Sequence, residues 1–480
     1  MPVTKVLRKK SESNTVSNNG HGKGSRTPEE LLKLEAEYCS WGDTVHYAED
    51  PIIFERCEGS YLYDTEDKPY LDLQMWYSAA NFGYNNPRLG NALKKQIDEL
   101  PQLACQYLHK EKIELATKIA QANQERFEEK GRVHFNVGGS QAVEDSLKLV
   151  RNATHRNLVF AFQGGYHGRT LGATSITSSY RYRRKFGHFS DRAQFVPYPY
   201  CFRCPYQKKY PDCGMYCVKQ FEKQFETEYN GVWDPKAKES EFSAFYVESV
   251  QGTGGYVVPP KEYFSELKKV LDRYNILLVD DEIQMGFYRT GKLWGIENFG
   301  VTPDIIVFGK AMTNGLNPLS GIWAKENLIN PKVWPAGSTH STFSSNSLGT
   351  AVALEVMKMT EEEDYETKVQ EKGKYFLGEL KKLQKKYKGI IGDLDGLGLA
   401  LRMEICERDG YTPNRELTDR MFQLGMEGKL QVGKKKYGLI LDVGGYYKNV
   451  FTLAPNFDIS KQEIALAIDL LDQLFQKALK

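Results

Sequence analysis

The chain has 480 residues, with 64 Lys+Arg against 62 Asp+Glu and a formal charge of +2. So even a balance leaves no long-range field to draw in nucleic acid or an anionic membrane, and no apolar run approaches the ~20 residues that span a bilayer. A hydrophobic content of 41% and a mean hydropathy of −0.53 suit a globular enzyme, and the length suits two or three domains.

Residues 1–26 are rich in Ser, Asn, Gly and Lys, have no apolar signal region, and read as a disordered tail. A cytoplasmic location follows, where the eight cysteines would mostly be thiols. Thr27-Pro-Glu-Glu opens a helix running to about Tyr38, with Thr27 as cap and Pro in the first turn. Strand-like pieces follow at Ile52–Arg56 and Tyr61–Asp64, then helical spacing from Arg88 to Leu100. Beyond about residue 110 helices (Ile113–Phe127, Ala142–Asn152) alternate with apolar strands at Val133–Val137, Leu158–Phe162, Phe242–Val247, Ile276–Val279 and Ile305–Phe308. Near-continuous apolar strands between helices predict a mainly parallel sheet covered on both faces, an α/β fold. Leu348–Met359 and Tyr365–Tyr387 read as helices. Leu397–Ile405, Leu439–Asp442 and Val450–Leu453 read as strands, and a last helix starts at Ser460.

Lys310 ends the apolar run Ile305-Ile-Val-Phe-Gly. A lysine tip prefers water, so this placement is poorly explained by stability; desolvation would lower its pKa and free the lone pair that captures a carbonyl. A strand-end lysine with its tip in solvent is the plainer reading of that segment alone. In Asn136-Val-Gly-Gly-Ser-Gln-Ala142, Gly138, Gly139 and Ser140 precede a helix and could cradle a phosphate. Tyr166, in Gly164-Gly-Tyr-His-Gly-Arg169, could lie flat on a ring. Asp281, in the last turn of an apolar strand, is costly unless it meets a cation, and a ring nitrogen would serve. Gln284 could donate to a neighbouring phenolate. These are the parts that a pyridoxal 5'-phosphate site requires.

With those residues in view, the chain from about residue 35 resembles the class III, fold type I aminotransferases. The most specific segment is Leu278-Val-Asp-Asp-Glu-Ile-Gln-Met-Gly-Phe-Tyr-Arg-Thr-Gly-Lys-Leu-Trp294, followed by Pro303-Asp-Ile-Ile-Val-Phe-Gly-Lys310. The Asp281-to-Lys310 spacing (310 − 281 = 29 residues) suits that family. The resemblance implies a seven-stranded-type sheet in a large domain over residues 96–354, carrying a Cys-rich loop at 198–218. A small α+β domain would come from both chain ends, 27–95 and 355–480. It further implies that Lys310 forms the Schiff base and shuttles the proton, that Asp281 pairs with the pyridinium, and that Gln284 contacts the ring hydroxyl. Tyr166 would stack on the ring, Gly139 and Ser140 would hold the phosphate, and Glu248 would sit near the cofactor. Thr342 would reach the phosphate of the partner subunit in a homodimer with shared sites, and Tyr77 would line the substrate pocket. The implied reaction passes an amino group, terminal ω-amines included, to a small 2-oxo acid in two half-reactions. An amino acid racemase or epimerase, or a decarboxylase or lyase, could use the same residues.

Three departures from the family stand out. Ser249 replaces the proline in Glu248-Ser-Val-Gln-Gly-Thr-Gly-Gly255, and Thr253 replaces a second glutamate found in many members. Thr452, in Asn449-Val-Phe-Thr-Leu-Ala-Pro-Asn-Phe457, replaces the arginine that pairs with that glutamate and otherwise grips a substrate carboxylate. Arg402 is a candidate substitute, against the plainer alternative of a strand arginine facing solvent or a surface carboxylate. Finally, Cys201, Cys204, Cys213 and Cys217 have a C-x2-C…C-x3-C spacing open to a metal site, to disulfides or to packed thiols.

Overall fold

The computed structural model describes residues 26–42, 46–187, 189 and 193–480. The tail expected over residues 1–26 lies outside them except for Arg26. The described residues up to Ile53 and those from Phe54 onward form two compact units. In the first, the helix Pro28–Tyr38 begins with a reciprocal capping box. Thr27 Oγ1 accepts from the Glu30 amide at 3.2 Å and Glu30 Oε2 accepts from the Thr27 amide at 2.9 Å.

In the second unit the dominant element is a seven-stranded sheet in the order Gly131–Asn136, Ser320–Lys325, Ile305–Phe308, Leu277–Asp281, Phe242–Val247, Leu158–Phe162, Gln194–Val196. All pairings are parallel except those of Ser320–Lys325, which runs antiparallel to both neighbours. The sheet is thus mainly parallel and buried on both faces. Phe242–Val247 and Ile305–Phe308 are buried at every position, as a sheet covered on both sides requires. Period-two alternation sorts its side chains. Phe160, Phe245, Leu278 and Ile306 join one core. Val159, Ala161, Tyr246, Val279 and Ile305 join another, against Ala142, Val143 and Leu147 of the helix Gly139–Thr154.

Two smaller sheets complete the unit. One joins the two ends of the chain, with Pro69–Asp72 parallel to Lys435–Ile440. The other has the order Ile391–Leu397, Ala400–Ile405, Val450–Leu453, Asp442–Gly444. The single strand expected over Leu397–Ile405 is the second arm of a hairpin whose turn is at Gly398. That residue has φ +58°, and a Cβ there would lie 2.8 Å from the Gly291 nitrogen, so only glycine fits. Among the described residues no helix is long and apolar enough to cross a membrane.

Candidate active site

Strand ends of the large sheet deliver the site. Asp281 is the last residue of Leu277–Asp281 and shares a face with Val279 and Tyr246. It is 5% exposed. Its Oδ2 lies 2.8 Å from His167 Nδ1, and its Oδ1 accepts from the Ile283 amide at 3.2 Å. Burial pulls the His167 pKa down, but the Asp281 hydrogen bond and the charges of Asp281 and Glu248 more than restore it, leaving a net upward shift. His167 sits inside the Gly-rich segment quoted for Tyr166, yet its bond to Asp281 spans 114 residues of chain and had no local signal.

The neighbours of Asp281 turn to the opposite face. Asp280 and Glu282 are fully buried there, and burial pushes both carboxyls toward the protonated form. Glu282 Oε1 accepts from Ser249 Oγ at 3.2 Å and from the Ile296 amide at 2.9 Å. The serine that stands in place of the family's proline is therefore a hydrogen-bond donor to a buried acid.

Lys310 follows the buried strand Ile305–Phe308 directly after Gly309 and adopts φ +45°, a left-handed conformation disfavoured for a residue with a Cβ. Burial lowers its pKa to about 8 against the pull of Asp281, Glu248 and Asp442. All three charges that bear on this amine are acids.

Glu248 is 6% exposed, and its two oxygens bridge separate loops. Oε1 accepts from the Tyr166 amide and Oε2 from the Gly252 amide, each at 2.8 Å. Burial raises its carboxyl to about 7, with His167 and the two amides opposing the rise. Gln284 Nε2 donates to the Tyr256 hydroxyl at 3.0 Å, and that hydroxyl lies 3.2 Å from Ser78 Oγ.

The helix Gly139–Thr154 begins without a side-chain cap, so its first amides are available to an anion. A Cβ on Gly139 would lie 2.9 Å from Ile283 Cδ1, which packs the cradle directly against the strand end carrying Asp281. Ser140 Oγ accepts from the Arg169 amide at 3.1 Å. Gly168, at φ +131°, lets the Tyr166 loop descend onto Ser140, where any Cβ would collide with the hydroxyl. The Gly139–Ser140 turn, the Tyr166 loop and the strand end carrying Asp281 are thus packed against one another.

Tyr77 belongs to a turn that no sequence pattern announced. Met75, Trp76, Tyr77 and Ser78 have φ of 44°, 53°, 56° and 62°, a full left-handed turn. Left-handed helical residues cost about 1–2 kcal/mol each. The turn is held by Asp72 Oδ1, which accepts from the Gln74 and Met75 amides at 2.7 and 2.9 Å, and by complete burial of Met75. The Trp76 ring covers Gly315, five residues beyond Lys310. Thr342 is exposed and makes no side-chain hydrogen bond among the described residues, so this chain alone does not bring it into the cluster.

The two threonines that replace the family's Glu/Arg pair meet at one turn. The Thr253 carbonyl accepts from the Gly445 amide at 3.0 Å, and Thr253 Oγ1 donates to the Gly164 carbonyl at 3.2 Å. Thr452 Oγ1 donates to Asp442 Oδ2 at 2.6 Å. A Cβ placed on Gly444 would sit 3.3 Å from Thr452 Cγ2 and 3.6 Å from the Thr253 carbonyl.

Arg402 is not the substitute clamp. It is 1% exposed, with Nη1 2.9 Å from Asp393 Oδ2, Nη2 2.8 Å from Glu404 Oε2, and a further bond from Nη2 to the Tyr200 hydroxyl. Both terminal nitrogens are engaged by two carboxylates and a phenol, while Nε is buried without a partner among the described residues. It does not face solvent either, but its pairing with the part-exposed Asp393 keeps it near the plainer alternative of an arginine meeting a carboxylate.

The four clustered cysteines are free thiols. Burial, and then the neighbouring thiols, push Cys201 up to about 12, and burial pushes Cys217 to about 11. Metal binding requires thiolates, and among the described residues no group of three or more His, Cys, Asp or Glu side chains is arranged to hold a metal ion.

The donor set fits pyridoxal 5'-phosphate: an uncapped helix N-terminus for a phosphate, a carboxylate braced by His167 for a ring nitrogen, and a lysine with lowered pKa for an aldehyde. Residues 44–475 match the class-III aminotransferase family model. The chain is 31% identical over 449 residues to a leucine/methionine racemase of Thermococcus litoralis, covering 93% of this chain and 95% of the relative. It is 30% identical to the 5-aminovalerate aminotransferase DavT of Pseudomonas aeruginosa, covering 94% and 99%. In structure it is similar to a pyridoxal-phosphate-bound amine transaminase from an uncultivated Pseudomonas species, with a TM-score of 0.79, 24% identity, and coverage of 97% and 100%. The chain belongs to the class-III aminotransferase family and is a fold type I, pyridoxal 5'-phosphate-dependent transaminase.

Proposed function

We propose that the site around Lys310 transfers an amino group from a donor whose reacting amine is terminal to a small 2-oxo acid. What carries this reading is the Lys310 amine, placed just past a buried strand end in a left-handed conformation, with its pKa lowered to about 8 by burial and within electrostatic reach of the His167-braced Asp281. Bound pyridoxal phosphate supplies an aldehyde carbon and an electron-accepting ring. Lys310 Nζ would hold that aldehyde and would carry the proton taken from the substrate's amine-bearing carbon. Asp281 would keep the ring nitrogen protonated, with His167 fixing the carboxylate in place. Gly139 and Ser140 would hold the phosphate and Tyr166 would cover the ring, on a loop that Glu248 ties to Gly252. Gln284 would serve the ring hydroxyl and Tyr77 the substrate.

A homodimer with shared sites completes this reading, Thr342 reaching the partner's phosphate. Its support is the exposed apolar surface beside the implicated residues, namely Trp76 next to Tyr77 and Phe343 next to Thr342, 55% and 69% exposed. Eight unpaired cysteines, one of them buried, suit a reducing cytoplasm.

Racemisation is the second reading, favoured by the 31% identity to a racemase. Adding an amine donor without an oxo acid separates the two. Stoichiometric conversion of the cofactor to its amine form is expected. An unchanged cofactor spectrum with inversion of an added L-amino acid would replace transfer by racemisation. Borohydride should fix the cofactor on the peptide carrying Lys310, and recovery on any other lysine would sink the assignment.

A further inference from the structure

The side of the pocket that lacks the carboxylate clamp carries a carboxylate of its own. Asp442 pairs with Thr452 across the Asp442–Gly444 and Val450–Leu453 strands, and its Oδ2 takes the Thr452 hydroxyl. The Gln74 side chain, at the foot of the left-handed turn that bears Tyr77, approaches the same carboxylate. The backbone holds this meeting together. The Leu73 amide donates to the Ile440 carbonyl at 3.0 Å, and the Leu73 carbonyl accepts from the Ala454 amide at 2.6 Å.

Asp442 is partly buried, and among the described residues no lysine, arginine or histidine nitrogen lies within 4.0 Å of it. Lys310 and Lys448 act on it only from a greater distance. A second acid, Asp72, acts on it too, with its own oxygens occupied by the Gln74 and Met75 amides and the Tyr84 hydroxyl. A donor with a far carboxylate would therefore meet Asp442 with no arginine to hold it. A donor with a far ammonium would complete a charge-assisted hydrogen bond that the protein leaves open.

We infer that Asp442 is a specificity-determining residue that receives the distal ammonium of a short α,ω-diamine, a substrate class opposite in charge to the one an arginine clamp selects. This rests on the amino-transfer reading and names the donor for that same site.

The test compares three donors of matched length, 1,4-diaminobutane, n-butylamine and 4-aminobutanoate, by the rate at which each converts the cofactor of the holoenzyme. The diamine should exceed n-butylamine by about tenfold or more, with 4-aminobutanoate poorest. Asp442→Asn preserves the shape and an acceptor for Thr452, and its diamine-to-butylamine ratio should collapse toward one. Calorimetry with N,N,N′,N′-tetramethyl-1,4-diaminobutane, which cannot condense with an aldehyde, should show binding in the unsubstituted protein and its loss in Asp442→Asn. That readout does not depend on turnover, and the ratio within one variant does not depend on its folded yield. A ratio unmoved by Asp442→Asn, or 4-aminobutanoate as the best donor, overturns the inference while amino transfer stands. A cofactor that none of the three donors, nor L-alanine, converts overturns the amino-transfer reading and this inference with it.

Discussion

Lys310 and Arg402 are both cations carried into the interior by apolar strands, yet the protein treats them in opposite ways. In the four-stranded sheet, Arg402 meets Asp393, Glu404 and the Tyr200 hydroxyl, and Glu404 is shared with Arg203 Nε at 2.5 Å. Burial opposes the charge of Arg402, and those partners more than restore it. At the edge of the large sheet's strand ends, Lys310 has acids near enough to influence it but none near enough to neutralise it, and burial takes its pKa down to about 8. A buried cation paired with two carboxylates serves the fold. One held short of its partners stores reactivity, because its lone pair is accessible near neutral pH.

The largest expected effect removes the reactive member. Lys310→Met should slow amine-driven conversion of the cofactor by about 10⁴-fold or more, followed by absorbance, since nucleophile and proton carrier are lost together. Thermodynamic stability then tests the contrast directly. Arg402→Met leaves the partly buried Asp393 without its cation and Glu404 with Arg203 alone, and should cost roughly 3 kcal/mol, read from urea midpoints. Lys310→Met, compared as apoprotein at pH 7, should instead gain on the order of 1–2 kcal/mol, allowing for the lysine's partial contact with solvent. The sign follows from linkage. The unfolded chain binds the lysine proton more readily than the folded one, so the penalty is absent well above pH 10.5 and grows as pH falls. It is complete below about 8. Equal destabilisation by the two substitutions would erase the distinction. The smallest effect is kinetic. Capture of pyridoxal phosphate by the apoprotein should quicken by about tenfold per pH unit up to about 8 and then level off, as the neutral amine becomes the major form. A rise continuing to pH 10 would mean that Lys310 is not desolvated.

Much of the proposed site stands out in the sequence because its groups interrupt strong local patterns. Lys310 and Asp281 end apolar strands, and Gly138-Gly139-Ser140 stands where a strand gives way to a helix. Each is anomalous within a few residues of chain, and the family resemblance placed them in a common site. His167 was not readable, since its partner is remote in sequence and a histidine in a Gly-rich loop breaks no pattern. The left-handed turn at Met75–Ser78 was equally silent: four residues with no glycine among them adopt it because Asp72 and the burial of Met75 hold them there. The strand Ser320–Lys325 was missed because only its central Ile-Trp-Ala is apolar, and the strand read over Leu397–Ile405 took in the turn because Gly398 sits in an otherwise apolar run, while its partner arm Ile391–Leu397 was missed.

By itself the sequence carried alternating apolar strands and helices, and a lysine and an acid at strand ends 29 residues apart. Those are properties of residue type and spacing, which short stretches of chain carry intact; Thr253 and Thr452 stand out only against the family resemblance. Tertiary structure decided which charges are spent and which remain available. Arg402, the sequence's candidate for the missing clamp, is engaged by a network that brings together residues up to 204 positions apart, and Asp442, unremarked in the sequence, has no cationic nitrogen within 4.0 Å among the described residues. Charge in a protein interior depends on what lies within a few ångströms, and only the folded chain sets those distances.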